Sequence, residues 1–466
     1  IMNYWSEGYE RIRRINEFLY GLNNNAKGLT IEQKNQYQAE ARFIRGYVFF
    51  WLAKLHGSFV ILTDINDYKN RDRQRSSEDE CWNAVAADFK FASENLPITW
   101  NTKYKGKATK IAAYGMLARC WLYAASVAKY DKKQFNSDPL TGISESKAKE
   151  YFENAANAAK QAVEIAPSSG VSLESNFENV FKNESKEIVF ASYYSSPTVR
   201  NAFDIMYAPP GDDKNNKCWV RGVPTAELVD EFEMANGKKF DWNNAEMQQN
   251  PYANREARFY ASILYNGSVW KGRKINTIAG TEPEGYVEYG NNSNADEPKK
   301  TVTGYYFKKM LDQSNLTFVD NGSYQPSIEM RYSEILLIGA EAEALLDGAS
   351  HNALAKDYIN SLREKRGLPE FAGQNLVEAI KHERIVELGF EGHRYWDLRR
   401  WREAHIKLND IRFHACKITS SSSGNFDYER VACDDRDRKF TSNLYYLPIP
   451  SYEIRNNQKI TQIQGW

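Results

Sequence analysis

The sequence predicts a mostly α-helical protein in which helical hairpins surround an irregular, loop-rich segment with short strands. Two observations predict this fold class. Apolar and aromatic residues recur at helical spacing towards both ends of the chain, whereas Gly, Pro, Asn and Asp become frequent between residues 168 and 325. The 466 residues are enough for two or three domain-sized units around a substantial core.

This change in composition and spacing divides the chain into four regions. We expect helices in residues 1–167, an irregular region in 168–325, returning helices in 326–403 and an irregular segment in 404–466. In the first region the pattern predicts helices over 4–21, 30–56, 78–96, 108–125 and 146–167. The last two carry small residues at their crossing and end at Pro167, which resembles a tetratricopeptide hairpin, although no strict 34-residue period runs through the chain.

The same sequence patterns predict the elements of the irregular region and of the returning helices. Extended runs are expected at 187–195, 258–267, 285–290 and 303–311, and a helix is expected over 224–237. Aromatic and apolar content argues against disorder in this region. Helical patterns then return over 326–348, 351–369 and 375–401.

Composition excludes several classes of function. Lys plus Arg equals Asp plus Glu, 61 against 61, so no overall field favours nucleic acid or an anionic membrane. We expect no membrane-spanning helix and see no signal peptide in the opening residues. The five scattered cysteines contain no CxxC and argue against a zinc site, while a Cys416–Cys433 bridge stays open. The histidines lack HxxxH or HExxH spacing, so neither a metal nor a cofactor is predicted.

Two acidic segments invite a functional interpretation. Asp434, Asp435 and Asp437 could bind calcium, but Arg436 interrupts them and the EF-hand glycine is missing, which favours a solvated charged loop. The stretch 383–401 combines glutamates on one helix face with arginines and aromatics.

A glycosidase would need a carboxylate pair such as Glu383 or Glu387 with Asp397. The nearby arginines would instead lower the carboxylate pKa values and keep the groups ionised. A structural brace that locks the returning helices onto the first hairpins is therefore favoured, and no enzymatic activity is predicted.

Four sequence motifs, in order, carry a resemblance to a known family. They are YERIRRINEFL with EARFIRGYVFFWLAKLHGSFVIL, LVDEFEMANGKKF with REARFYASILYNGSVW, RYSEILLIGAEAEALL with ERIVELGFEGHRYWDLRRW, and the closing YYLPIPSYEIRNNQKITQIQGW. Together they cover nearly the whole chain, which resembles the SusD/RagB family. Two features depart from the family pattern: no lipobox cysteine precedes the first helix, and Ala257 stands where the family has a proline.

The resemblance implies a fold and a function. It implies four tetratricopeptide-like hairpins that cradle an irregular, ligand-binding region at 168–325. It also implies a lipid-anchored protein on the extracellular face of the outer membrane, which captures an oligosaccharide and passes it to a TonB-dependent transporter. The lipid anchor is implied by the resemblance alone. Some relatives serve peptide uptake, so a peptide-binding protein or tetratricopeptide adaptor is the alternative.

Sugar binding requires an aromatic ring against which the C–H face of the sugar stacks, and fixed polar partners for its hydroxyls. Several loop aromatics have Asn, Asp, Arg or Lys neighbours that meet this description. The candidate residues are Trp270, Tyr286, Tyr289, Trp219, Trp242, Trp5 and Trp100, with Asn291 and Arg273 as polar partners. The first four are favoured because their flanks are rich in Gly and Asn. The alternative for each ring is a place in the core or in a turn, because Trp is mostly buried on average.

Overall fold

The computed structural model describes residues 4–70, 72–131, 138–195, 198–214, 218–290, 299–318, 322–420 and 425–466. The first region contains α1 (Tyr4–Asn24), α2 (Ile31–His56), α3 (Glu78–Asn95), α4 (Lys110–Tyr130) and α5 (Ala148–Ile165). Each helix packs mainly against its neighbours in sequence, as in a chain of hairpins. Thr30 caps α2 as predicted, since its side chain accepts from the amide of Gln33 and the Gln33 side chain accepts from the amide of Thr30.

The irregular region contains only short elements. They are β1 (Ile188–Ser192), α6 (Phe203–Tyr207), α7 (Ala226–Glu231), α8 (Ala245–Gln249), α9 (Ala257–Ser262), β2 (Ile263–Leu264), β3 (Val269–Trp270), β4 (Arg273–Lys274) and β5 (Tyr306–Phe307). The extended run expected at 258–267 is mostly the helix α9, and the run at 285–290 forms no strand. Ala257, at the family's proline position, is the first residue of α9.

The last part of the chain returns to longer helices. It contains β6 (Ser327–Arg331), α10 (Tyr332–Ala344), α11 (Ala349–Lys365), α12 (Leu376–Glu387), α13 (His393–Arg400), α14 (Ala404–Lys407), β7 (His414–Ser420), β8 (Phe426–Ala432) and α15 (Ser451–Asn456). Within the described residues each sheet has two antiparallel strands: β1 with β6, β2 with β5, β3 with β4, and β7 with β8. The structure is mostly helical with few short strands, which confirms the predicted fold class.

The helix α4 forms the centre of the core. Its length and composition would suffice to cross a membrane, contrary to our expectation from the sequence, but 89% of that segment is buried inside the fold. It packs against α3, α5, α10 and α13. Small residues such as Ala112, Ala113 and Ala118 are fully buried at these contacts, which lets the helices approach closely.

The stretch 383–401 is two helices rather than the single predicted one. The chain turns between Glu387 and His393, where Phe390 has a φ of 68° and Gly392 a φ of 80°. The turn places the Phe390 ring 4.2 Å from the ring of Phe307 on β5. The break therefore brings the returning helices into contact with the irregular region.

A buried charge cluster lies where the irregular region meets the returning helices. Its members are Glu187, Glu256, Arg258, Lys309, Arg331, Arg363, Arg366, Glu383, Glu387 and Glu391. Arg331 pairs with Glu187 at 2.7 Å, with Glu387 at 2.6 Å and with Glu391 at 2.7 Å. Because buried charges are stable only when paired, the cluster fixes the mutual position of the segments that supply them.

The aromatic side chains of this stretch hold it to the first helices. The rings of Trp396 and Trp51 meet edge to face at 5.9 Å, and the Lys54 ammonium lies 4.3 Å and 4.2 Å from their centroids. Arg400 donates to the Ser126 hydroxyl of α4 at 3.0 Å. These contacts agree with the brace inferred from the sequence.

All five cysteines are free and buried. Cys416 lies opposite Arg430 in the β7–β8 ladder, whereas Cys433 follows β8. The bridge between Cys416 and Cys433 that the sequence left open is therefore not formed.

Candidate functional site

The loop between α3 and α4 holds two aromatic side chains at the surface. The ring of Trp100 meets that of Tyr104 edge to face, with centroids 6.0 Å apart. The indole Nε1 of Trp100 donates to the carbonyl of Ala108 at 2.7 Å, which fixes the ring. Asn101 caps the intervening turn, because its Oδ1 accepts from the Lys103 amide at 3.1 Å. A polar amide and two rings thus stand together on a short, ordered loop.

Two lysines of the same loop lie against aromatic rings at this site. The Lys107 Nζ lies 4.7 Å from the Trp100 centroid and 4.8 Å from the Tyr104 centroid. The same ammonium pairs with Glu40 of α2 at 2.7 Å. Lys105 donates to the carbonyl of Asn183 at 2.8 Å and lies 4.4 Å from the Tyr193 ring. In a cation–π contact of this kind, the ammonium is attracted to the face of the aromatic ring, which helps to fix the orientation of the ring.

A cavity of about 300 Å³ opens between this loop and the end of β1. Its far wall includes Phe190, Ala191 and Tyr193. Gly106 has a φ of 95°, and a Cβ there would lie 3.3 Å from the Tyr193 ring, so glycine allows the loop to approach this wall. Burial raises the pKa of the Tyr193 phenol, which keeps the hydroxyl protonated at neutral pH. The volume is at the lower end of the range for small-molecule sites, roughly 300–1,000 Å³.

Of the predicted candidates that lie within the described residues, only Trp100 lines this cavity. Sequence reasoning missed Phe190, Lys105 and Tyr193 as parts of the site. Two features of the sequence could have indicated these residues. One is the basic run from Lys103 to Lys107 around Gly106, and the other is the aromatic end of the extended run at 187–195.

Three predicted platform residues are core residues in the structure. Trp5 is 1% exposed, Trp270 is 2% exposed and Tyr286 is 4% exposed. The indole of Trp270 donates to Asp212 at 2.7 Å, and the ring of Trp5 packs edge to face against His56 at 5.0 Å. Partners distant in sequence cover most of each ring, although Trp270 still lines a cavity with Phe181 and Met310. That any of the three binds ligand stays a prediction.

The polar groups of Arg273 and Trp242 bond to carboxylates within the protein. The Arg273 guanidinium pairs with Asp212 at 2.7 Å and with Glu284 at 2.8 Å. The indole of the half-buried Trp242 donates to Asp230 at 3.1 Å. Both side chains therefore have their polar groups engaged within the protein.

Two further candidates are exposed but lie outside the cavity. Trp219 is 42% exposed, with the Arg221 guanidinium 5.3 Å from its ring, and Tyr289 is 53% exposed. Asn291 lies outside the described residues. That Trp219, Tyr289 and Trp100 bind ligand stays a prediction.

The electrostatics around Glu387 and Glu391 do not suit a general acid. Burial alone would raise the pKa of Glu391, but the charges of Arg331 and Lys309 outweigh it and lower the pKa to about 2. The pKa of Glu387 falls well below its ordinary value, because Arg366, Arg331 and Arg258 outweigh the same effect of burial. Carboxylates that stay ionised at neutral pH cannot protonate a leaving group.

The acidic loop near the C-terminus forms ion pairs. Asp434 accepts from Arg438 at 2.9 Å, and Asp437 accepts from Arg412 at 2.7 Å. Among the described residues, no group of three His, Cys, Asp or Glu side chains is arranged to hold a metal ion.

Comparison with known proteins identifies the family to which this chain belongs. The sequence model described as "SusD family" matches residues 186–466, and one described as "Starch-binding associating with outer membrane" matches residues 1–122. The chain belongs to the SusD family. The two matched segments leave only residues 123–185 between them, so the family assignment extends over both the irregular region and the helices on either side.

Similar proteins cover almost the whole chain. The SusD-like protein P2 of Formosa agariphila is 23% identical over 98% of this chain and 79% of its own length. A structure of a SusD-like carbohydrate binding protein from Bacteroides fragilis has a TM-score of 0.77 at 20% identity, covering 98% of this chain and 85% of that one. A laminarin binding SusD-like protein has a TM-score of 0.67 at 18% identity, covering 99% and 85%. The last two comparisons establish the shared fold.

Proposed function

We propose that this SusD-family protein binds a glycan, without cleaving it, in the cavity beside Trp100. In this proposal the protein is lipid-anchored on the extracellular face of the outer membrane and delivers the glycan to a TonB-dependent transporter. The observation that carries the binding proposal is the pair of accessible rings, Trp100 and Tyr104, held at the mouth of a cavity with Asn101 and Tyr193 beside them.

The chemistry of the cavity suits a sugar. An aromatic face can stack against the C–H surface of a pyranose ring, and the amide of Asn101 and the phenol of Tyr193 can direct its hydroxyls. The two lysine charges are already engaged, by Glu40 and by the Asn183 carbonyl. A neutral ligand is therefore favoured over an anionic one.

The names of similar proteins support the same class of ligand. One structural neighbour is described as carbohydrate binding and another as laminarin binding. The family model that matches residues 1–122 is described as starch-binding and associated with the outer membrane. These descriptions supply the sugars with which a binding screen should begin.

Replacing Trp100 with alanine tests the site. We expect Trp100→Ala to weaken glycan binding by about 2 kcal/mol, roughly thirtyfold, because a central aromatic contact is lost. Binding would be measured by calorimetry and affinity electrophoresis against laminarin, starch, and other plant, host and microbial glycans.

The rival candidate is tested in parallel by Trp219→Ala, which removes an exposed indole outside the cavity. If Trp219→Ala abolishes binding and Trp100→Ala leaves it intact, the binding surface lies in the irregular region instead. Binding of peptides and of no glycan would support the peptide-uptake alternative.

Two further measurements address turnover and partnership. Incubation with a bound oligosaccharide should yield no shorter products, since arginines lower the pKa values of Glu383, Glu387 and Asp397, the carboxylates considered for a glycosidase. Product formation would establish a glycosidase. Co-purification from outer membranes with a TonB-dependent transporter would support delivery, and consistent recovery without any transporter would count against it.

A further inference from the structure

The lining of the Trp100 cavity changes from polar at the mouth to apolar inside. The lining residues at 98–107, apart from Trp100 itself, are exposed, and most of them are polar. The other lining residues, which come from 109–193, are partly or fully buried. Most of these inner residues are apolar, and they are Ile111, Val171, Ile188, Val189, Phe190 and Ala191. A ligand that enters the cavity therefore meets polar groups first and an apolar wall beyond them.

Two polar groups near the mouth are available to a ligand. The Asn101 Oδ1 accepts from the Lys103 amide at 3.1 Å, and its Nδ2 points to no acceptor among the described residues. The partly buried Tyr193 lies against the loop at Gly106, and no described residue bonds to its hydroxyl. One amide and one phenol can thus direct the hydroxyls of a sugar at this end of the cavity.

The side-chain hydroxyls further inside are already engaged. The Thr109 Oγ1 accepts from the Ala112 amide at 3.4 Å, which caps α4. The Ser169 Oγ donates to the Ile165 carbonyl at 3.0 Å. A sugar hydroxyl that points inwards would give up its bonds to water without equivalent partners, whereas an apolar substituent gains by leaving water.

We propose that the sugar unit bound beside Trp100 carries a methyl group, as 6-deoxy and O-methyl sugars do, and that this methyl group packs against Val171 and Phe190. Because it rests on the proposed function, this assignment narrows the ligand to a class of sugar. The ring stacks on Trp100, and its hydroxyls bond to Asn101 and Tyr193 at the mouth. The substituent on the other side of the ring then enters the apolar part of the cavity.

Pairs of sugars that differ by one group test the proposal. L-Rhamnose and L-fucose carry a methyl group where L-mannose and L-galactose carry CH₂OH, and 3-O-methylglucose has one methyl group more than glucose. Each sugar is used to displace the glycan that binds best in the screen, followed by competition calorimetry. We expect the methyl-bearing member of at least one pair to bind about ten- to a hundredfold more tightly, the discrimination that an apolar pocket gives for one such group. The 6-deoxy and O-methyl pairs distinguish the position of the methyl group.

Val171→Thr changes the inner wall and nearly keeps its shape. The added hydroxyl gives an inward-pointing sugar hydroxyl a partner, so the preference for the methyl-bearing sugar should fall about two- to tenfold, the value of one hydrogen bond. The readout is the ratio of two affinities for one variant, so a general loss of stability affects both members alike.

The matched control is Val269→Thr on β3, which adds the same hydroxyl to a side chain that is 68% exposed and lies outside the cavity. It should leave the ratio unchanged.

The outcomes separate methyl recognition from glycan binding as such. If Trp100→Ala abolishes binding while the two members of every pair compete equally, methyl recognition is refuted and the proposed function stands. Tighter binding of the hydroxyl-bearing sugars, or an unchanged ratio in Val171→Thr, would refute it as well. If no saccharide binds the parent protein, both proposals fail.

Discussion

At the scale of single residues, Glu387 shows how the buried charge cluster works. Its carboxylate accepts from Arg258 at 2.9 Å, from Arg331 at 2.6 Å and from Arg366 at 2.8 Å, and the side chain is fully buried. Removing such a partner leaves buried cations uncompensated, which costs more than the pair contributed.

We predict that Glu387→Gln destabilises the protein by about 3 kcal/mol or more, because three arginines lose their shared negative charge. Chemical denaturation followed by circular dichroism would measure this change. The matched control is Glu10→Gln, whose carboxylate pairs with Arg14 at 2.5 Å on the exposed face of α1. That change should stay within about 0.5 kcal/mol, and equal effects of both variants would contradict the argument.

The pKa of Glu391 predicts how stability depends on pH. The pKa is about 2 in the folded protein, against an ordinary value of 4.5. Since the unfolded chain takes up the proton first as pH falls, the contribution of Glu391 is fully present above about pH 4.5 and is lost towards pH 2. Denaturation midpoints measured from pH 7 to pH 2 should fall most steeply in that window. Glu391→Gln should flatten this part of the profile, and an unchanged slope would contradict the assignment.

The sequence identifies which side chains can stack on a sugar, but not which of them reach the surface. Trp270 has Gly and Asn neighbours in sequence, yet the structure buries it against Asp212, 58 residues away. Trp100 has equally polar neighbours, but its indole bonds to Ala108, only eight residues away, and part of the ring remains accessible. Exposure depends on contacts between distant segments, which a local pattern does not contain.

At the scale of elements, helix periodicity predicts α1 to α5 within a few residues, but it misses two breaks in the returning helices. Residues 327–331 form β6 because they pair with β1, so the helix expected from 326 begins at Tyr332. The segment from Leu388 to Gly392 has helical spacing, yet it turns so that Phe390 reaches β5. In both places a tertiary contact overrides the local preference.

A pair of glycine substitutions tests the break between α12 and α13. Gly392 has a φ of 80° with nothing near its Cβ position, so Gly392→Ala should destabilise the protein by about 1 kcal/mol through backbone strain alone. Gly21 lies within α1 with equally open surroundings and no positive φ, so Gly21→Ala should stabilise by about 0.5–1 kcal/mol.

Thermal denaturation of both variants would measure the two shifts. They should have opposite signs. Shifts of the same sign would show that backbone strain at Gly392 does not determine the effect of Gly392→Ala on stability.

At the scale of the whole molecule, the buried charge cluster joins regions that the sequence separates. Glu187, Arg258, Arg331 and Glu387 come from four different segments of the chain. The order of the sequence motifs was sufficient to predict the helical fold and its family. The joining of the regions could not be predicted, because it depends on pairings across more than one hundred residues, such as Arg258 with Glu387.

We therefore predict that the protein unfolds in a single cooperative transition, since neither the irregular region nor the returning helices keep the charges of the cluster paired without the other. Differential scanning calorimetry should give a calorimetric enthalpy equal to the van't Hoff enthalpy. Two resolved transitions would mean that the irregular region unfolds independently of the helices. Glu387→Gln is the variant in which such a separation would first become visible.

Because β1 pairs with β6, the two ends of residues 193–326 meet at a two-stranded stem on the helical frame. The junction is reinforced by Arg331 with Glu187, and by Arg119 of α4 with Glu329 of β6. Closing a longer loop at such a stem costs little, about 0.6 kcal/mol for each doubling of its length. Loops of this segment away from Arg258 and Lys309, which pair with the returning helices, are thus free to change in length while the frame that carries Trp100 stays constant. Under the proposed function, relatives that keep the contact at Trp100 can differ in these loops, so that a single scaffold can serve many polysaccharides.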